Sequence, residues 1–319
     1  RDFCLSRGLG DVYKRQVLMA FKLGSGRNTG HPFQTVTVSL TCLLPKRRHY
    51  NTIPCMPRIR FTTAYDGRPY LGWQSQPGGR TVQDKLERAF SILFGEAVRI
   101  HGSGRTDAGV HALGQVFHVD APDTHRIPAD KWPAAINTRL PRTIRVIHAE
   151  YTDPGFHARF SATGKTYRYC ISSEPILNPF DAGLVWHRPL AWSLDALAEA
   201  AGLFLGEHDF TAFAALRGNE PRPIPEDYFR RTITRADVRR EGNRTFMTFT
   251  GTGFLYKMVR LMAGAAHEAA RGKITLEELN HLIRSPRPDD KSPFCAPPDG
   301  LTLMQVHYPD CVPKNRPEQ

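Results

Sequence analysis

Three features of the 319-residue chain predict an α+β fold of two similar subdomains, with mainly antiparallel sheets and flanking helices around a central basic cleft. Short strands with alternating apolar side chains recur along the chain. Amphipathic helical stretches with capping residues follow some of them. Each half offers antiparallel-prone strands with helices added, which favours this arrangement over an alternating strand–helix–strand Rossmann sheet.

The first half opens with "RIRFTTAYDG" (58–67), where Ile59, Phe61, Thr63 and Tyr65 share one face and Asp-Gly closes the strand. "TVQDKLERAFSILFG" follows, with Val82, Leu86, Ala89, Phe90 and Leu93 at helical spacing, Thr81 as N-cap and Gly95 as stop. Val98 and Ile100 predict a short strand into "GSGRTDAGVHA" (102–112), and "QVFHVD" predicts another out of it. "ADKWPAAINTRL" reads as a helix interrupted by Pro133, and "IRVIHAEY" as a strand.

The second half begins with "FHARFSATGKTYRYCISS" (156–173), where Tyr167, Tyr169 and Ile171 alternate against Arg168 and Cys170. "SLDALAEAAGLFLGEH" predicts a helix capped by Ser193, and "TITRADVRREGNRTFMTFTGTGFL" a hairpin turning at Gly242-Asn243. Two more helices, "YKMVRLMAGAAHEAARG" and "TLEELNHLIRS", precede a Pro-rich stretch and a last strand, "LTLMQV". These readings place one subdomain at 58–155, a second at 156–310 and a tail at 311–319.

Residues 1–57 have no consistent apolar period and are expected to be a non-native or disordered leader, with Met56 as a natural start. A targeting peptide is the rival reading, but "TVTVSLTCLL" is a Thr-rich h-region without an A-x-A site. A basic RNA-binding arm is the other rival. The leader carries +7 of the net charge of +12, which leaves +5 for the remaining 262 residues. A local patch of Arg and Lys therefore matters more than the total.

No run approaches the ~20 apolar residues that a membrane span requires, so a soluble protein is expected. Six cysteines occur without a C-x-x-C pair, which fits a reducing cytoplasm and argues against zinc or a disulfide framework. Thirteen scattered histidines supply no ligand pair on a helix, so no metal is expected.

The chemistry concentrates in "GSGRTDAGVHA". A dinucleotide fingerprint fails there, because Asp107 stands where G-x-G-x-x-G needs its third glycine and would repel a pyrophosphate. A P-loop fails because no Lys follows the glycines. Asp107 and His111 are four apart, but Gly109 between them and a missing third ligand argue against a metal. Two readings remain open on the residues alone: a Gly-rich turn with an Arg105–Asp107 surface pair, or a catalytic loop.

"GRTDAGVHALGQVFH", "NTRLP", "FHARFSATGKTYRY", "FLYKMVR" and "APPDGL" together resemble, in order and spacing, the tRNA pseudouridine synthases of the TruA type, from about Arg58 to about Tyr308. The resemblance implies the pseudouridine synthase fold and a cofactor-free isomerase. Its partner would be tRNA and its target uridines on the 3′ side of the anticodon stem-loop, at tRNA positions 38 to 40. It also implies a cytoplasmic homodimer.

By the same resemblance Asp107 is the catalytic aspartate, a nucleophile at the sugar or base, and Arg260 the catalytic-site arginine that pairs with it. An arginine so placed favours the charged form of a carboxylate. The loop glycines are expected to make room for the flipped nucleotide. Tyr167 matches the residue that stacks on the target base and helps move its proton, and Arg105 the arginine that occupies the space of the extruded base or contacts its backbone. Lys165, Arg168, Arg159 and Lys257 flank these positions as candidate phosphate contacts.

The alternatives are a catalytically inactive tRNA-binding or chaperone protein and a glycoside hydrolase. Asp107, Tyr167 and Arg260 together speak against the first. The second requires a pair of carboxylates, and no second acid sits in these motifs.

Overall fold

The alternation in 58–65 produces β1 (Arg58–Tyr65), with Ile59, Phe61, Thr63 and Tyr65 buried on one face. The structure, a computed structural model, describes residues 57–122, 127–218, 220–287, 289–292 and 294–309. The expected leader, apart from Pro57, and the expected 311–319 tail lie outside the described residues. The described residues all belong to one compact unit.

Helix α1 (Val82–Phe94) starts in a capping box between Thr81 and Asp84 and stops at Gly95, whose φ of 76° is left-handed. No strand forms at Val98–Ile100; β2 (His101–Gly102) pairs instead with β3 (His111–Asp120). Pro133 does not interrupt a long helix. It sits in the first turn of α2 (Trp132–Asn137), where the missing N–H leaves no helical bond unmade. The strand β4 (Ile144–Tyr151) then pairs antiparallel with β1.

Chain order continues with β5 (Gly164–Ser172), β6 (Trp186–His187), α3 (Leu194–Gly202), capped by Ser193, and β7 (Gly206–Asp209). The expected hairpin is β8 (Arg230–Glu241) and β9 (Arg244–Gly251), joined by Gly242 and Asn243. Helices α4 (Met258–Ala270) and α5 (Leu276–Arg284) follow, and β10 (Leu301–His307) ends the fold.

The ten strands among the described residues join one mainly antiparallel sheet in the order β4-β1-β3-β10-β5-β9-β8-β7, with β2 added on β3 and β6 on β5. The last strand lies at the middle: β10 runs parallel to β3 through Thr302↔His111 and antiparallel to β5 through Leu303↔Tyr167. The start of β3 and the centre of β5 are thereby brought side by side. That juxtaposition places the residues of the "RTDAGVHA" loop opposite those of "TYRY".

Aromatic rings fill both arms of the sheet. Phe61 packs on Phe90 and Phe117, each at 5.1 Å, and Phe204 packs on Phe213, also at 5.1 Å. Among the described residues, no helix is long and apolar enough to cross a membrane.

Candidate active site

The loop between β2 and β3 is fixed at both ends by hydrogen bonds that reach its backbone. Ser103 N–H donates to Val116 O at 2.8 Å, Gln115 Nε2 donates to Gly104 O at 3.0 Å, and Trp73 N–H donates to Thr106 O at 3.0 Å. The Thr106 and Tyr65 hydroxyls bond at 2.8 Å in a buried position. His111 is a structural tie: Nδ1 accepts from Gly67 N–H at 3.2 Å and Nε2 lies 2.8 Å from Gly183 O. A loop held this way is preorganised before any ligand arrives.

The glycines do not make room for a nucleotide, as the sequence suggested. A Cβ at Gly102 would lie 2.5 Å from Trp73 Nε1, so the missing side chain admits the buried indole. Gly109 is needed for its φ of 81°, which closes the turn in which Val110 N–H donates to Asp107 O at 3.1 Å. The glycines allow close packing and a sharp turn around Asp107, which borders the cleft.

Two guanidinium groups from elsewhere in the chain face the Asp107 carboxylate. Arg260 Nη1 lies 3.4 Å from Oδ2 and Arg217 Nη2 lies 4.0 Å from Oδ1. The Arg105–Asp107 surface pair of the simple-turn reading does not form; Arg105 Nε donates to Gln74 Oε1 at 3.1 Å. Arg260 stands in the first turn of α4, and its Nε donates to Ala296 O at 2.7 Å while Ala296 N–H donates back to Arg260 O at 3.1 Å. This reciprocal pair sets the direction of the guanidinium. Helix α4 starts from Lys257 at a φ of 59°, a left-handed conformation uncommon outside glycine.

Tyr167 projects from β5 into the same space, its ring edge-on to Phe254 at 5.1 Å. Burial, then Tyr65 and Asp107, push its phenol pKa well above the usual value. It therefore offers an O–H and a ring face near neutral pH, not a phenolate. Tyr169, on the same strand face, belongs to the core: it is fully buried, its hydroxyl donates to Pro297 O, and its ring packs on Trp186.

These groups line one open cleft of 1040 Å³. Eight Lys or Arg residues border it against two acids, Asp107 and Glu220, so its field favours a polyanion. The chain matches the sequence pattern described as tRNA pseudouridine synthase over residues 62–161 and 200–309. It is 83% identical to the tRNA pseudouridine synthase A of Akkermansia muciniphila, over 80% of this chain and 96% of that protein. It is 41% identical to the Bacillus subtilis protein of the same name, over 79% of this chain and 99% of the relative. The Rhodopseudomonas palustris protein of that name is also 41% identical over the same shares.

The chain belongs to the tRNA pseudouridine synthase family. As a family member it is an isomerase that converts uridine to pseudouridine. Of the synthase residues expected from the sequence, Asp107, Arg260, Tyr167, Arg105, Lys165, Arg159 and Lys257 all border the cleft. Arg168 does not: alternation along β5 turns it from Tyr167, and its guanidinium lies 5.1 Å from the Phe246 ring centroid. Lys165 Nζ donates to Ser103 O at 2.9 Å beneath Gly104, and burial, then Arg159, lower its ammonium pKa to about 8. Burial, with Arg217 and Arg159 nearby, also lowers the Arg105 pKa, a sign of crowded positive charge.

Arg217 was missed by sequence reasoning. It lies in an irregular segment, and its seat over the Tyr256 ring at 4.1 Å exists only once the chain has folded. Arg231, on β8 in an Arg-rich strand, also borders the cleft, with nothing local to distinguish it from its neighbours.

Proposed function

We propose that the chain isomerises uridine on the 3′ side of the tRNA anticodon stem-loop, with Asp107 as nucleophile and no cofactor. The observation that carries this reading is the Asp107 carboxylate, held between Arg260 and Arg217 and facing the cleft that Tyr167 lines. The reaction breaks N1–C1′, turns the uracil, forms C5–C1′, passes the C5 proton to solvent and restores a proton on N1. The product is an isomer, so no oxidant or group donor is needed. A carboxylate serves at the sugar or base by covalent catalysis. Tyr167 offers a face to the extruded base, offsetting part of the cost of unstacking it.

The anticodon stem-loop and the homodimer are proposed on the family resemblance. The cytoplasmic location rests on that resemblance and on a sequence in which the cysteines have no paired spacing. The cleft does hold a second acid, Glu220, but its carboxylate accepts the Arg217 and Gly218 backbone N–H groups. It is committed to its own loop, and the two-carboxylate hydrolase reading gains no support from it.

The experiment is to assay Asp107→Ala on a tRNA carrying tritium at uridine C5. Loss of tritium release with tRNA binding largely kept supports the assignment. Retained release refutes it.

A further inference from the structure

Phe160 is 77% exposed at the rim of the cleft, where its ring face is open to a ligand. The loop is not loose. His157 N–H donates to Ser161 Oγ at 3.0 Å, Ser161 N–H donates to His157 O at 2.9 Å, and Ala158 N–H donates to His118 Nδ1 at 3.1 Å. The Tyr308 hydroxyl donates to Ala158 O at 2.7 Å. Such a frame holds the ring in place before a ligand arrives, which lowers the ordering cost of binding.

Behind Phe160 stands a column of rings. Its centroid lies 4.4 Å from that of His157, His157 lies 4.8 Å from His118, and His118 stacks on His101 at 4.9 Å and 16°. His157 Nδ1 accepts from the Arg159 and Phe160 N–H groups, which fixes the imidazole orientation. His101, His157, Arg159 and Phe160 all border the cleft that holds Asp107 and Tyr167. The placement follows from topology: β2 leads from His101 into the Asp107 loop, and the 157–160 loop leads into the strand carrying Tyr167.

We propose that Phe160, backed by His157 and His101, is a stacking platform for an unpaired nucleobase of the bound RNA, distinct from the uridine at Tyr167. The proposal rests on the reading of the substrate as tRNA. An exposed ring on a strongly basic cleft is the combination that holds a splayed nucleic-acid strand: cations take the phosphates and the ring face takes the base. Arg159, whose guanidinium lies 5.7 Å from the Phe160 centroid, supplies the adjacent charge.

The test is tRNA binding by fluorescence anisotropy over a salt series, with pseudouridine formation measured beside it. Phe160→Ala should weaken binding about 5- to 100-fold with an unchanged salt slope, whereas Phe160→Trp should stay within about twofold of the parent. Arg159→Ala should instead make the slope shallower by about 1. Because Phe160 is exposed, its variants should keep the parent's thermal midpoint.

Binding by Phe160→Ala within twofold of the parent overturns the platform. So does a loss that comes with a shallower salt slope, or a variant whose only change is in particle mass, which would make Phe160 a contact between copies. If the parent makes pseudouridine while Phe160→Ala behaves like it, the platform fails and the function stands. A parent that binds no tRNA removes both.

Discussion

Replacing Arg260 tests how the site handles the Asp107 carboxylate. Arg260→Met keeps most of the side-chain volume but removes Nη1 from 3.4 Å of Asp107 and Nε from 2.7 Å of Ala296 O. At 3.4 Å, unit charges attract by about 1 kcal/mol in water and about 5 kcal/mol at an effective dielectric constant near 20. The two side chains are 14% and 18% exposed, which excludes the watery limit, while Arg217 at 4.0 Å retains part of the field.

A loss of about 2–3 kcal/mol of transition-state stabilisation is therefore expected, equal to about 30- to 150-fold in kcat. Arg260→Lys keeps the charge but cannot serve the carboxylate and Ala296 O with one fork. It should lie between parent and Arg260→Met. Single-turnover pseudouridine formation at saturating enzyme measures this without a contribution from binding. An Arg260→Met rate within threefold of the parent would refute the pairing as the source of carboxylate control.

Gly102→Ala forces a Cβ to 2.5 Å from the buried Trp73 ring and should cost about 1–3 kcal/mol, seen as a lower Tm. Gly104→Ala meets only the flexible end of Lys165 and should cost less, so equal losses would contradict this packing account. Burial, aided by Arg58, His101 and His157, lowers the His118 pKa from 6.5 to about 4, so the unfolded chain binds the extra proton between these values. Urea midpoints should fall as pH drops from about 6.5 towards 4, and less steeply in His118→Gln; equal slopes would oppose this assignment. Arg168→Ala should leave tRNA affinity within about twofold of the parent, because its side chain sits over Phe246 away from the cleft. A salt slope shallower by about 1 in that variant would return Arg168 to the RNA surface.

Local patterns made most elements legible. The alternation of β1, the capping box and left-handed Gly95 of α1, and the Gly242-Asn243 hairpin are encoded within a few residues and form as expected. The central place of β10 was not legible, because pairing with β3 and β5 joins residues far apart in sequence. Side-chain direction within a strand separates Tyr167, at the cleft, from Arg168, on the other face, but alternation alone could not say which face was which. It could not separate Tyr167 from Tyr169 either, since both share that face and only Pro297 identifies the core partner. Arg217 depends on a ring and a carboxylate that reach it only through the fold. The loop glycines were misread because the groups filling their missing side chains, Trp73 and Lys165, come from other elements.

The most direct measurement is tritium release from uridine C5 of tRNA by Asp107→Asn, with tRNA affinity and Tm measured on the same preparation. Asparagine keeps the shape facing Arg260 and Arg217 but cannot act as a carboxylate nucleophile. The account predicts no release above background, with affinity and Tm near those of the parent. Release at a rate within tenfold of the parent would contradict it.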